Sequence, residues 1–212
     1  MYLAADKPYL DNETDKEIRQ FNNYLNQFTN GIHALKSHFY LAQLYYKKNL
    51  FDNAQPHYKY VVEASKSEYT EQATVKLCEI YLTSSNWSKA IPVLLNLENE
   101  ADYPQNIIYA QSNLMNAYYQ TDDFATAQNY ADKVLANSNL DTKVKSDAKI
   151  IIARSAIKTG NESKAKEAYA DLEKIATGSV AAEALFYNGY FKNKEGQYEA
   201  SNTTIQKLAK DH

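Results

Sequence analysis

The residues best equipped for chemistry in this chain are four histidines and a single cysteine. Two histidines three or four residues apart on one helix face could bind a metal ion, and a cysteine beside a histidine could act as a nucleophile. His33, His38, His57 and His212 include no such pair, and the sequence contains no Gly-rich nucleotide-binding loop. We therefore expect no metal site, no cofactor and no enzymatic activity.

Composition excludes two further classes of partner. The chain has 26 acidic and 23 basic residues without a concentrated basic stripe, so nucleic acid is not an expected partner. It has no run of about 18 apolar residues, so direct membrane insertion is not expected either. Only 5 Gly and 4 Pro interrupt a sequence rich in helix formers, which predicts an all-α fold.

An internal repeat is the strongest structural signal. Phe51, Trp87 and Phe124 recur at spacings of 36 and 37, and each follows a tyrosine by six positions and precedes an alanine by three. A helical unit of this length predicts stacked two-helix hairpins. Small or adaptable residues recur in the first predicted helix at Ala42, Cys78, Met115, Ala153 and Gly189, and in the second at Ala54, Ala90, Ala127, Ala165 and Ser201. Such residues let helix axes approach to about 8–10 Å, so Cys78 is predicted to be a buried packing residue.

This pattern of small residue, tyrosine, turn aromatic and alanine resembles the tetratricopeptide repeat (TPR) family. The resemblance implies an all-α, right-handed solenoid of about five hairpins that forms a single domain over residues 1–212. Units four and five match less well, with Ala156 and Lys192 at the tyrosine position and Glu162 at one turn aromatic. The implied units span residues 33–68, 69–105, 106–141, 142–178 and 179–212.

The sequence before the first unit differs from the repeat. Residues 1–13 are expected to be irregular, and Thr14 with Glu17 suggests a capping box that opens a helix over 14–30, the second half of a preceding repeat. That helix is expected to stop at Asn30 and Gly31. Neither end of the sequence shows the polar capping helix usual in solenoids. We therefore expect the chain to be a segment of a longer protein.

In the TPR family the first helices line a concave groove that binds partners. An aromatic and amide-rich groove suits an extended peptide or a helix, because tyrosine and asparagine offer contact area and adaptable hydrogen bonds. Alternatively, about half of the aromatic residues pack between adjacent first helices instead of facing a partner. By register with the family, the predicted groove residues are Phe39, Gln43, Tyr46, Glu79, Asn116, Tyr119, Arg154 and Tyr190.

The resemblance implies a non-enzymatic scaffold that binds a protein or peptide ligand. The alternative is a structural spacer or oligomerisation module of a larger envelope assembly protein, with copies stacked through their end faces. The segment from Glu17 to Gly31, followed by Ala34 to Tyr45, is similar to bacterial cell-envelope TPR proteins. The tyrosine- and asparagine-rich composition of the whole sequence also resembles the large TPR proteins of Bacteroidetes-type bacteria. This similarity favours the periplasm or the outer-membrane periphery over the cytoplasm.

Overall fold

The computed structural model describes residues 2–137 and 139–211, with side chains from residue 13 onward. Within these residues the chain forms eleven α-helices and no strand, which confirms the all-α prediction. None of these helices combines the length and the apolar character needed to cross a bilayer. The helices are α1 (Tyr2–Gln27), α2 (Ala34–Lys47), α3 (Phe51–Glu63), α4 (Thr70–Thr83), α5 (Trp87–Glu100), α6 (Pro104–Gln120), α7 (Phe124–Leu135), α8 (Thr142–Lys158), α9 (Glu162–Ile175), α10 (Gly178–Lys194) and α11 (Tyr198–Asp211).

Consecutive helices from α2 onward pair into hairpins, as the repeat predicts. The pairs α2–α3, α4–α5, α6–α7, α8–α9 and α10–α11 fall one to each predicted range. Two hairpins begin slightly before the predicted units: α6 begins at Pro104, before residue 106, and α10 begins at Gly178, before residue 179. Proline is well suited to the first turn of a helix, where its missing N–H has no intrahelical partner to lose.

The chain divides into two compact units, residues 1–102 and 103–212, where the sequence suggests one domain. Unit 1 contains α1 to α5, and unit 2 contains α6 to α11. In a repeat protein each hairpin contacts only its neighbours, so no side chain at the centre ties all the repeats together. A division between repeats is therefore compatible with an unbroken sequence period.

The N-terminal prediction is wrong in its boundaries. Residues 2–13 belong to α1, so they are not irregular, and Thr14 with Glu17 lies inside this helix instead of capping it. The helix ends at Gln27, three residues before Asn30. Pro8 removes one backbone donor but fits helical φ, and the residues around it include the good helix formers Ala4 and Ala5.

The repeated small positions lie in the core of each unit. Ala42, Cys78 and Ala153 are completely buried in the first helices of their hairpins, and Met115 is nearly so. Ala54, Ala90, Ala127 and Ala165 are likewise completely buried in the second helices. Larger apolar residues fill the remaining space, and each fully buried leucine contributes about 1.5–3 kcal/mol to stability. The larger apolar residues buried in the second helices include Val61, Leu94, Leu97, Val134 and Leu172.

Each hairpin turn repeats one backbone conformation. A residue with positive φ precedes the N-cap of the second helix in all five hairpins. In three turns the N-cap side chain, Asn86, Asp123 or Asn161, accepts a hydrogen bond from the backbone N–H three residues on. The repeating aromatics Phe51, Trp87, Phe124 and Tyr198 are the first residues of the second helices. The positive-φ residues are Asn49, Ser85, Asp122, Gly160 and Gly196.

Candidate partner-binding surface

A groove of about 510 Å³ lies between α1 and α2 in unit 1. Its aromatic wall comes from Phe21 and Tyr40, whose rings stack with centroids 6.2 Å apart. Gln43, one of the predicted groove residues, lies in this groove. The complete lining is Glu17, Phe21, His33, Lys36, Ser37, Tyr40, Gln43 and Leu44.

The charges of this groove lie at solvent-exposed positions. Lys36 is exposed, places its ammonium nitrogen 5.8 Å from the centroid of the Tyr40 ring and forms no ion pair with the side chains that the structure describes. Glu17, on α1, is also exposed. The surface thus combines an aromatic face, one cation, one anion and an amide. This combination can bind a backbone and side chains of either polarity.

Two other predicted groove residues bind each other within unit 1. The hydroxyl of Tyr46 donates a hydrogen bond of 2.6 Å to Glu79 Oε2, which joins α2 to α4. Lys76 donates to the same oxygen at 2.7 Å and lies 4.7 Å from the centroid of the Tyr46 ring. Burial, followed by the bond to Glu79, raises the pKa of Tyr46 to about 12. These polar groups are occupied in linking neighbouring first helices.

Phe39 does not line a groove, contrary to the prediction. It is only 3 % exposed and contacts the ring of Tyr69 at 4.8 Å and that of Tyr58 at 6.5 Å between centroids. The next residue, Tyr40, is the one on the exposed side of α2. Adjacent residues on a helix point about 100° apart, so a one-residue error in register exchanges core for surface. Phe39 is therefore a core residue.

In unit 2, Arg154 is held by a carboxylate on the next hairpin. Its Nη2 lies 2.5 Å from Glu183 Oε2, its Nε lies 3.0 Å from Glu183 Oε1, and Tyr169 donates to Oε1 at 2.8 Å. Burial alone would raise the pKa of Glu183, but the bonds from Arg154 and Tyr169 hold it below the ordinary value. Arg154 thus joins α8 to α10 instead of presenting a free cation.

The remaining predicted residues divide between packing and exposure. Asn116 donates to the carbonyl of Ser112 at 3.0 Å within α6, and Tyr119 packs on Phe124 at 5.5 Å between centroids. Tyr190 is 47 % exposed on α10. Phe186, one turn earlier, is also exposed. Tyr190 therefore remains available to a partner, whereas Asn116 and Tyr119 mainly serve their own hairpin.

Sequence reasoning missed Lys36 and Tyr40 in the groove of unit 1. Both were detectable, because Lys36, Tyr40 and Gln43 are spaced four and three residues apart and so share one face of α2. No such spacing signal exists for His38 and His57, which are 19 residues apart yet meet in the first hairpin. Within the described residues no group of three or more metal-ligating side chains forms.

Comparison with known proteins places this architecture among solved structures. The structure of MamA matches with a TM-score of 0.66 and 20% identity over 84% of this chain and 92% of that chain. YrrB, a TPR protein with an unusual peptide-binding site, matches with a TM-score of 0.62 and 14% identity over 91% of this chain and 92% of that chain. PilF of Pseudomonas aeruginosa matches with a TM-score of 0.59 and 15% identity over 94% and 92%.

No family model matches the chain, and no curated protein matches it. Structural likeness at 20% identity or less establishes the fold and leaves the ligand open. Three observations support the same fold. The hairpins follow the repeat period, small residues are buried at the repeated helix positions, and the similar structures include a TPR protein. This chain has the fold of the tetratricopeptide repeat proteins.

Proposed function

We propose that this chain is a protein-interaction module that binds an extended peptide, or a short helix of a partner protein, in the groove between α1 and α2. The observation that carries the proposal is the groove of about 510 Å³. It offers the stacked rings of Phe21 and Tyr40, the amide of Gln43 and the charges of Lys36 and Glu17. Peptide grooves combine an apolar platform with a few polar groups that fix orientation in this way.

The contrast between predicted groove positions supports the choice of this site. Tyr46, Glu79 and Arg154 use their polar groups on neighbouring helices, so a partner would have to displace existing bonds to reach them. With respect to the described side chains, Lys36 and Gln43 carry no comparable inter-helix bond, and Tyr40 is 37 % exposed. Binding that leaves internal bonds intact is favoured, because unpaired buried groups cost about 1–3 kcal/mol each. The fold that this chain shares with YrrB, which has a peptide-binding site, is compatible with the proposal.

We also propose a location in the bacterial cell envelope, and this part of the proposal is argued from the sequence resemblance. In that setting the module would hold a segment of another envelope protein during assembly. The spacer alternative predicts that no segment binds in the groove. Fractionation of the source cells tests the compartment, and a direct binding experiment separates the scaffold from the spacer.

The test is selection from a random peptide library with the full chain, followed by affinity measurement with synthetic peptides. Lys36→Glu and Tyr40→Ala should each weaken a selected peptide roughly tenfold or more, since central anchors carry most of the binding energy. Tyr198→Ala removes a tyrosine that is 64 % exposed in unit 2 and should leave the affinity unchanged. Melting temperatures of all variants confirm folding. The proposal fails if no peptide is selected, or if the groove variants bind as well as wild type.

A further inference from the structure

The first hairpin contains two histidines in direct contact. Nδ1 of His38, on α2, lies 2.7 Å from Nδ1 of His57, on α3. Two aromatic rings flank the pair: Tyr60 stacks on His38 with centroids 3.9 Å apart, and Tyr45 stacks on His57 at 5.9 Å. The two imidazole planes are tilted by 42°, with centroids 4.9 Å apart, so two stacked tyrosine–histidine pairs meet in one cluster of four rings from both helices.

This contact requires a specific protonation state. A hydrogen bond between two Nδ1 atoms needs one nitrogen to carry hydrogen and the other to present a lone pair. Both neutral rings in complementary tautomers satisfy this condition, as does one imidazolium beside one neutral imidazole. When both rings are protonated, both nitrogens become donors, so the bond is lost. Two positive charges then face each other at close range.

Among the described side chains, no carboxylate contributes to the electrostatic environment of either imidazole. Within the described side chains, Tyr45 and Tyr60 are the titratable groups that contact the two imidazoles, besides the imidazoles themselves. From α1, Asn22 reaches the ring cluster by donating to the Tyr45 hydroxyl at 3.1 Å. Asp15 of α1 pairs with Lys48. On α4, Lys76 and Glu79 bind each other, and Glu79 also accepts from Tyr46.

We propose that His38 and His57 form a proton-operated latch between α2 and α3: the latch holds the hairpin closed while at least one ring is neutral, and double protonation opens it. The latch would be closed at neutral pH and would weaken in mildly acidic solution. Its state changes without any ligand, because only protons enter or leave. The same hairpin would then differ in stability between two compartments of different pH.

The electrostatic environment supports this proposal. Burial lowers the pKa of both histidines, and the charge of His38 further lowers that of His57, to about 4. In the unfolded chain each histidine has a pKa of about 6.5 and accepts protons independently. Because the folded value is the lower one, the unfolded state binds more protons between about pH 6.5 and pH 4. The contribution of the histidine pair to the free energy of unfolding is therefore fully present above about pH 6.5 and decreases as the pH falls through this window.

The latch has a consequence for the groove, which rests on the proposed function. The groove residues Lys36, Tyr40 and Gln43 lie on α2. His38 belongs to the same helix. Loosening α2 from α3 would disorder the wall that contacts the peptide. A bound peptide would then be released as the pH falls, with no change in the groove residues themselves.

The experiment compares urea unfolding of the full chain at about pH 7.5 and about pH 5. For wild type we expect acidification to raise the unfolding equilibrium constant roughly tenfold or more beyond its effect on His57→Phe, which keeps an aromatic ring at this position but removes one titrating group. His33→Gln, which removes an exposed histidine of the same unit, should retain the wild-type pH dependence. Equal pH dependence in wild type and His57→Phe would overturn the latch.

A second measurement covers the case in which His57→Phe does not fold. NMR titration of wild-type imidazole signals should show that His38 and His57 do not both gain protons until well below pH 6.5. Independent titration of both rings near that value would overturn the latch. Neither measurement needs a partner, so the latch can stand if no peptide binds in the groove. Peptide binding that is independent of pH would leave the proposed function intact and remove only the link between the two.

Discussion

The thiol of Cys78 illustrates how position decides the chemistry of one side chain. It lies on α4 with no exposed surface. Burial, with a smaller contribution from the charge of Glu79, raises its pKa to about 12, whereas a reactive cysteine needs a lowered value and access to solvent. The residue therefore acts as a small apolar group at the repeated packing position.

We expect Cys78 in the native protein to resist thiol reagents at neutral pH. Labelling should proceed only through unfolding and should become fast in denaturant, because the thiolate form is scarce and the sulfur is covered. Ala125→Cys places a second thiol at an exposed position of α7 and should add one rapidly labelled site. Rapid native labelling of Cys78 in the wild-type protein would show that α4 is not packed as described.

How well single residues could be predicted depended on the type of pattern. The burial of Cys78 was predictable because four other residues at the same repeat position are also small or adaptable. The groove was harder, because a family register identifies a helix face without showing which side chain a neighbouring helix covers. Phe39 was assigned one residue away from the exposed Tyr40. The contact between His38 and His57 follows from how two helices cross, and no local spacing encodes it.

Helices in this chain are positioned by small residues in the core and by polar links between hairpins. Ala127 is completely buried in α7, whereas Ala125 in the same helix is exposed. Ala127→Leu should overpack the core and lower stability by roughly 1–3 kcal/mol. Ala125→Leu adds the same atoms in solvent and should change stability by less than about 0.5 kcal/mol. Urea denaturation measures both, and equal midpoints would contradict the assigned helix faces.

The link from Arg154 to Glu183 should matter more than an exposed ion pair. Glu183→Ala leaves Arg154 and Tyr169 without their shared acceptor and should cost roughly 1–3 kcal/mol at neutral pH. Asp147→Ala breaks the pair with Lys143, whose side chain is 85% exposed, and should cost less than about 0.5 kcal/mol.

The pH dependence of this link has a definite sign. Since the pKa of Glu183 is lowered from 4.5 by folding, its contribution is present above about pH 4.5 and is lost as the pH falls below that value. The difference in unfolding free energy between wild type and Glu183→Ala should therefore shrink in acid. A difference that stays constant down to about pH 3 would show that the carboxylate charge is not involved.

The helices themselves were largely predictable, and the reason is redundancy. Each hairpin repeats the same small residues, and each second helix of four hairpins begins with an aromatic residue, so several positions report one boundary. The segment before Ala34 lacks that redundancy. There the only local signal, Thr14 with Glu17, suggested the start of a helix. The residues on both sides of it also favour a helix, so α1 extends through both residues.

The division into two units leads to a prediction about the whole chain. Residues 1–102 and 103–212 each contain complete hairpins and their own buried core. We expect both segments, produced separately, to be helical by circular dichroism and to unfold cooperatively in urea. A segment that is unstructured alone would show that the units depend on each other for folding. The sequence could not predict this division, because the repeat period continues through residue 102 without a linker signal.

Trp87, the first residue of α5, is the chain's only tryptophan and belongs to unit 1. Its fluorescence emission therefore reports the unfolding of residues 1–102 alone. The far-ultraviolet circular dichroism signal reports the unfolding of helices in both units. Coincident transitions would mean that the two units melt as one cooperative system. Separate transitions would give the stability of each unit from a single unlabelled sample.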